Sequence, residues 1–253
     1  ALFDAHIPNW RAQPQALSKA VDLPNDAVKE AKLKAKKRLI SYVNSVTGVG
    51  FTDELLTICF ARRAAAYKRA TLLFADIEYL MNLSFDRVQL IFAGKAHPRD
   101  EPGKQLIKEV VNIGRQYENK LRLVFLPNYN IWLASLMVQG TDVWLNTPRR
   151  PREASGTSGM KVCYNGGVNM SVLDGWWREV CKSRVNGWAI GDDEDQSDDA
   201  AASDLYIDLD DMVTTYYANP KQWMSIMKGS IADVCSYFNT HRMVMEYFHK
   251  YYQ

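Results

Sequence analysis

"DVWLNTPRRPREASGTSGMKVCYNGGVNMSV", residues 142–172, sets an apolar run, a loop bare of bulk, a helical pattern and a second apolar run in succession. "DVWL" (142–145) and "VNMSV" (168–172) are short and nearly continuous in apolar residues, as strands buried on both faces are. Residues 157–166 between them read as a helix. Strand, helix and strand in that order make a βαβ unit, whose strands run parallel.

The same alternation extends on both sides. "LLTICF" (55–60), "VQLIFAG" (88–94), "LRLVFL" (121–126) and "GWAI" (187–190) read as further strands, with helices expected at about 67–81, 104–117 and 131–139. Pro24-Asn25-Asp26 looks like a helix start. The helix behind it puts Leu39, Ile40, Val43 and Val46 on one face and stops at Gly48, and its many lysines read as a solvated face. From Leu205 onward the pattern is amphipathic helix in three segments, broken at Asn219-Pro220 and near Thr240.

The expected fold is therefore an α/β, Rossmann-like parallel sheet with helices on both faces, plus carboxyl-terminal helices. Residues 1–50 form a leading segment and helix, 51–200 the sheet domain, and 201–253 helices that pack on the same domain. No internal repeat and no separating linker is visible.

The totals bound the function. With 253 residues, 47% hydrophobic and 24% charged, the chain can bury a large core. A net charge of +2 argues against nucleic acid or an anionic membrane as partner. No apolar run approaches the roughly 18 residues of a membrane helix. The opening "ALFDAHIPNW" lacks the regions of a signal peptide, and without an initiator Met the natural start is expected upstream. Cys59, Cys163, Cys181 and Cys235 have neither metal nor disulfide-framework spacing, so thiols in a reducing, cytoplasmic compartment are expected. His6, His97, His241 and His249 form no metal pattern, and no metal is expected. "DDEDQSDD" (192–199) lacks the spaced ligands and Gly of a calcium loop and reads as a flexible solvated loop.

In an open parallel sheet, ligands bind beyond the carboxyl ends of the strands. Three loops leaving those ends carry cations: "ARRAAAYKRA", "GKAHPRDEPG" and "NTPRRPREASGTSGMK". The third matches no standard phosphate-loop motif. Even so, Gly156-Thr157-Ser158-Gly159 before a helix suits an anion, since small side chains let a phosphate approach backbone N–H groups. Arg62, Arg63, Lys68 and Arg69 could form a solvated basic face, but Arg63 and Lys68 straddle the expected start of a helix directly after a buried strand, a position that favours an anion site.

"FARRAAAYKRA", "IFAGKAHPRDEPGK", "VFLPNYNIWLASLMVQGTDVWLNTPRRPREASGTSGMK", "LDGWW" and "NGWAIGD" resemble the α-glucan phosphorylases, the glycogen, starch and maltodextrin phosphorylases. The likeness runs from about Phe51 to about Asp192 and continues more loosely into "THRMVMEYF". It implies the carboxyl-terminal half of a two-domain glycosyltransferase-B architecture. The implied cofactor is pyridoxal 5′-phosphate. The implied reaction moves a terminal glucosyl unit of an α-1,4-glucan onto inorganic phosphate, giving α-D-glucose 1-phosphate with retention.

By resemblance, Lys161 is the residue that carries the cofactor. Thr157 and Ser158 contact its phosphate, Tyr129 lies beside its ring, and Arg62 stands near its phosphate. Glu153, Ser155 and Gly156 hold the glucosyl hydroxyls. Arg63 and Lys68 hold the reacting phosphate, with Lys68 also near the cofactor phosphate. The resemblance implies that the cofactor phosphate supports the substrate phosphate, which protonates the departing glycosidic oxygen. Two phosphates about 5 Å apart repel by roughly 3 kcal/mol per unit-charge pair at an effective dielectric of 20, so several cations are needed around them. All of these groups are expected at one sheet edge, with Lys161 turned away from bulk water.

Retaining nucleotide-sugar transferases of related architecture place a second glutamate where this chain has Lys161, so that alternative is weaker. A non-catalytic glucan-binding or regulatory module is the other alternative, and the presence of both Lys161 and Glu153 argues against it. "AAA" (64–66) replaces bulkier residues of the family pattern, and local repacking is expected there. The family's amino-terminal half supplies a glycine-rich phosphate loop and further sugar contacts that these residues lack. The isolated chain is accordingly expected to be inactive without that half, its implied partner. A homodimer is compatible with the resemblance.

Overall fold

The computed structural model describes residues 2–192 and 194–252. Six strands form one sheet: β1 (Leu56–Arg63), β2 (Val88–Lys95), β3 (Arg122–Leu126), β4 (Val143–Asn146), β5 (Val168–Val172) and β6 (Gly187–Ile190). The order is β3-β2-β1-β4-β5-β6 and every pairing is parallel. This is the doubly wound order of a Rossmann-like sheet, whose strand order reverses between β1 and β4.

Alternation along the strands builds two cores. Ile58, Phe60, Leu90, Phe92 and Leu145 face one side, Cys59, Ala61, Ile91, Ala93 and Trp144 the other. The first side is covered by the leading segment (Ile7, Leu17, Leu23) and the tail (Leu209, Val213, Ile226). The second is covered by the helices Asn25–Thr47, through Leu39 and Val43, and Ile131–Gly140, through Leu133 and Met137. Both ends of the chain thus share the cores of the sheet.

The helices start where the sequence offers caps. Asp76, Asp100, Asn130, Ser197 and Asn239 each accept a backbone N–H three residues on. The first long helix ends at Gly48, whose φ of 70° suits glycine.

Four expectations need correction. The helix expected at 67–81 is broken: short 3-10 turns at Ala66–Lys68 and Leu72–Phe74 precede a helix at Ile77–Ser84. Arg69 takes a left-handed φ of 47°, and its guanidinium donates to the carbonyls of Thr147 (2.9 Å) and Pro148 (3.0 Å), so long-range bonds override local helix propensity. The helix expected at 157–166 spans Ser158–Cys163 and stops before Gly166, at φ 68°.

The acidic run is not all loop, because Ser197 caps a helix over Asp198–Ala218 that begins before Leu205. Asp198 and Asp199 sit in its first turn, where carboxylates favour the helix dipole, and Asp198 pairs with Arg69 and Arg149. Asp193 of that run lies outside the described residues.

The lysines of the leading helix are not all solvated either, since Lys32 and Lys36 are 8% and 2% exposed. They reach under the amino-terminal ends of β1 and β4, where backbone carbonyls and Asp142 receive them.

Among the described residues no helix is long and apolar enough to cross a membrane. Cys59, Cys163 and Cys235 are buried free thiols and Cys181 is a half-buried one.

Candidate functional site

The loops after β1 and β4 leave the sheet at its switch point, and backbone contacts hold them together. The Thr147 hydroxyl donates to the carbonyls of Lys68 and Arg69, and Arg149 N–H donates to the Tyr67 carbonyl at 2.7 Å. The loop after β2 joins them where Ala64 N–H donates to the Lys95 carbonyl at 3.0 Å.

Arg62, Lys68 and Glu153 meet at this point. Glu153 Oε2 accepts from Arg62 Nη2 at 2.7 Å and from Lys68 Nζ. The side chains of Arg62, Lys68 and Glu153 are 9%, 8% and 14% exposed. Burial pulls the Glu153 carboxyl up, but the hydrogen bond from Lys68 and the charges of Arg62 and Lys68 outweigh it, and the net shift is down. Arg62 is shifted down by burial, against the opposing charge of Glu153. Among the described residues, one guanidinium nitrogen, Arg62 Nη1, is buried with no hydrogen-bond partner. Such a donor costs free energy until an acceptor reaches it.

Tyr129 is half-buried close to this group. Burial raises its phenol, and the Arg62 charge opposes the shift. Arg63, which the resemblance pairs with Lys68, is exposed, and the buried cation beside Lys68 is Arg62. The Tyr67 phenol is lowered chiefly by the neighbouring Lys68, whose Nζ lies 4.5 Å from the centre of its ring.

Lys161 lies on the far side of the glycine loop. It is exposed, not turned inward as expected, and its Nζ is 3.4 Å from the Thr157 hydroxyl one helical turn back. It opens onto a groove of about 680 Å³ with Ser155, Thr157, Met160 and Tyr164 on one wall and Phe238 and Met243 on the other. Gly156, at φ 82°, gives the loop its bend. Ser158 is anchored by the Trp144 indole N–H at 3.1 Å.

Sequence reading gave no role to Asp174 of "LDGWW", which holds the loop in place. Its carboxylate accepts the N–H of Glu153 and of Gly175, both at 2.9 Å, and Trp176 N–H donates to the Ser155 carbonyl at 3.1 Å. The Asp-Gly pair, a turn signal directly after an apolar strand, was the available clue.

The donor set suits a phosphorylated aldehyde. It comprises a reachable amine with adjacent hydroxyls at Ser155 and Thr157 in the groove, while the buried guanidinium with an unused N–H is outside the groove's lining. No group of three His, Cys, Asp or Glu side chains that could hold a metal occurs among the described residues.

The family model for carbohydrate phosphorylases matches residues 7–196. The chain belongs to that family. It is similar to the maltodextrin phosphorylase of Thermococcus litoralis, 42% identical over 276 residues that cover 99% of this chain and 33% of the relative. It is also similar to the glycogen phosphorylase of Aquifex aeolicus, 38% identical, covering 91% and 37%, and to that of Mycobacterium tuberculosis, 40% identical, covering 80% and 25%. The chain thus spans between 25% and 37% of the length of these relatives.

Proposed function

We propose that the chain is the carboxyl-terminal catalytic half of a pyridoxal-phosphate-dependent α-1,4-glucan phosphorylase, a cytoplasmic enzyme of glucan breakdown. The observation that carries this reading is the loop Glu153–Lys161. It presents a carboxylate to buried cations at one end and an amine to an open groove at the other, at the switch point of the sheet. Names among the relatives support the glucan substrate.

In this reading the Lys161 amine anchors the cofactor, with the Thr157 hydroxyl beside it. When bound, pyridoxal 5′-phosphate supplies a phosphate whose second pKa near 6 lets it give or take a proton close to neutrality. Arg62 and Lys68 neutralise the phosphates gathered there, and the unused Nη1 of Arg62 offers one more donor. Arg63, exposed at the strand end, reaches the reacting phosphate from the open side. The Glu153 carboxylate can accept from two adjacent sugar hydroxyls and so orient the glucosyl ring. Further contacts to glucan and phosphate are assigned to the remaining length of the relatives, the amino-terminal half.

Treating the chain with pyridoxal 5′-phosphate and borohydride, followed by peptide mapping, tests the assignment. Label concentrated at Lys161 and lost in Lys161→Ala is expected. Label spread evenly over surface lysines in both proteins overturns it.

A further inference from the structure

The Glu153 carboxylate sits where the proposed function needs phosphate oxygens, bonded to both buried cations. The same carboxylate is assigned to the sugar, and because both cations bond its Oε2, only Oε1 is left for sugar hydroxyls while they hold it. Two cations and one carboxylate leave a unit of positive charge in a poorly solvated place, and Arg62 Nη1 remains unpartnered within it. A phosphate carrying about −1.5 to −2 matches two cations better than one carboxylate does. Its tetrahedral oxygens also use the guanidinium fork more fully.

The exchange requires only a side-chain rotation. The Glu153 backbone is pinned by its N–H bond to Asp174 at 2.9 Å, and Arg69 and Thr147 lock the loop that carries Lys68. We propose that Glu153 is an internal competitor for the phosphate site: a phosphate group docking on Arg62 and Lys68 displaces its carboxylate and releases it for sugar. The inference rests on the proposed function and adds a binding order, with phosphate engaged before the glucosyl hydroxyls are held. The phosphate can be inorganic or the monoester of the cofactor.

Calorimetric titration of the 253-residue chain with inorganic phosphate, and separately with pyridoxal 5′-phosphate, tests this on the parent, Glu153→Asp and Glu153→Gln. Aspartate keeps the charge but is one methylene too short to bring an oxygen to where both cations bond it. Glu153→Asp is expected to bind about threefold tighter and Glu153→Gln about tenfold tighter, the latter equivalent to about 1.4 kcal/mol. A gain confined to pyridoxal 5′-phosphate assigns the displacement to the cofactor. A gain seen with inorganic phosphate assigns it to the phosphate group itself. Crystals soaked in phosphate should show the carboxylate beyond about 4 Å of Lys68 Nζ.

Affinity in Glu153→Asp no tighter than in the parent overturns the proposal, as does phosphate bound with both ion pairs intact. Label at Lys161 with no gain in Glu153→Asp removes the displacement and leaves the proposed function standing. A gain without label at Lys161 does the reverse.

Discussion

Two buried charge clusters lie at opposite ends of β1 and β4, built from the same ingredients. At the amino-terminal end, Lys36 donates to Asp142 (2.5 Å), the Leu55 carbonyl (2.6 Å) and Tyr216 (3.4 Å), while Asp142 also accepts Thr57 N–H at 2.9 Å. Beside it Lys32 donates to the carbonyls of Gln139 and Thr141. At the carboxyl-terminal end, two cations share one carboxylate oxygen and a guanidinium nitrogen goes without a partner. The first cluster is satisfied by the fold. The second is left short of an acceptor. Satisfaction of polar groups, more than their presence, separates a staple from a binding site.

The comparison breaks most forcefully at Asp142. Asp142→Ala leaves the Lys36 ammonium buried with no counter-charge, and truncating one partner of a buried pair costs about 3–5 kcal/mol. Urea denaturation monitored by circular dichroism reads this directly. A loss under about 1 kcal/mol would mean that the amino-terminal pair is no more structural than a surface one.

Lys32 supplies the next largest effect, and its sign is specific. Burial pushes its ammonium down to about 8, against the attraction of Asp142. The folded chain therefore sheds this proton before the unfolded chain does, and stability rises as pH climbs from about 8 toward 10.5. At about 1.4 kcal/mol per unit, the contribution is about 2–3 kcal/mol. Other groups titrate in this window, so the quantity to measure is the parent-minus-Lys32→Met difference in unfolding free energy. It should grow by that amount between pH 7.5 and 10.5, and a flat difference would show that Lys32 is not desolvated.

The amino-terminal cluster was not legible in the sequence, whereas the carboxyl-terminal one was expected from its cationic loops and the resemblance, and the frame that carries both was legible. Strands such as "VQLIFAG" and "VNMSV" announce themselves because both faces are buried and the apolar run is unbroken. Lys32 and Lys36 read as solvent-facing because helical periodicity ranks a lysine by type. Their burial depends on Asp142 and on carbonyls more than a hundred residues away. The same holds for Arg69, whose left-handed backbone answers to Thr147 and Pro148 and not to its neighbours in sequence. At the site, resemblance named Arg62, Arg63, Lys68 and Glu153. Only the coordinates pair Lys68 with Glu153, bury Arg62 in preference to Arg63, and give Asp174 the task of holding the loop.

The smallest expected effect on stability is also the sharpest contrast with Asp142. Arg62→Met keeps most of the volume and removes a buried charge whose Nη1 has no partner, while Glu153 retains Lys68. Because Lys68 still compensates Glu153, no buried charge is left unpaired, and unfolding free energy should stay within about 1 kcal/mol of the parent. Affinity for inorganic phosphate should nevertheless fall by about tenfold or more, because a charge-assisted donor to the anion is gone. A variant that keeps its stability while losing its anion marks Arg62 as held by the fold for a ligand. If Arg62→Met instead unfolds as readily as Asp142→Ala, the two ends of the sheet are alike, and the carboxyl-terminal cations are a second staple.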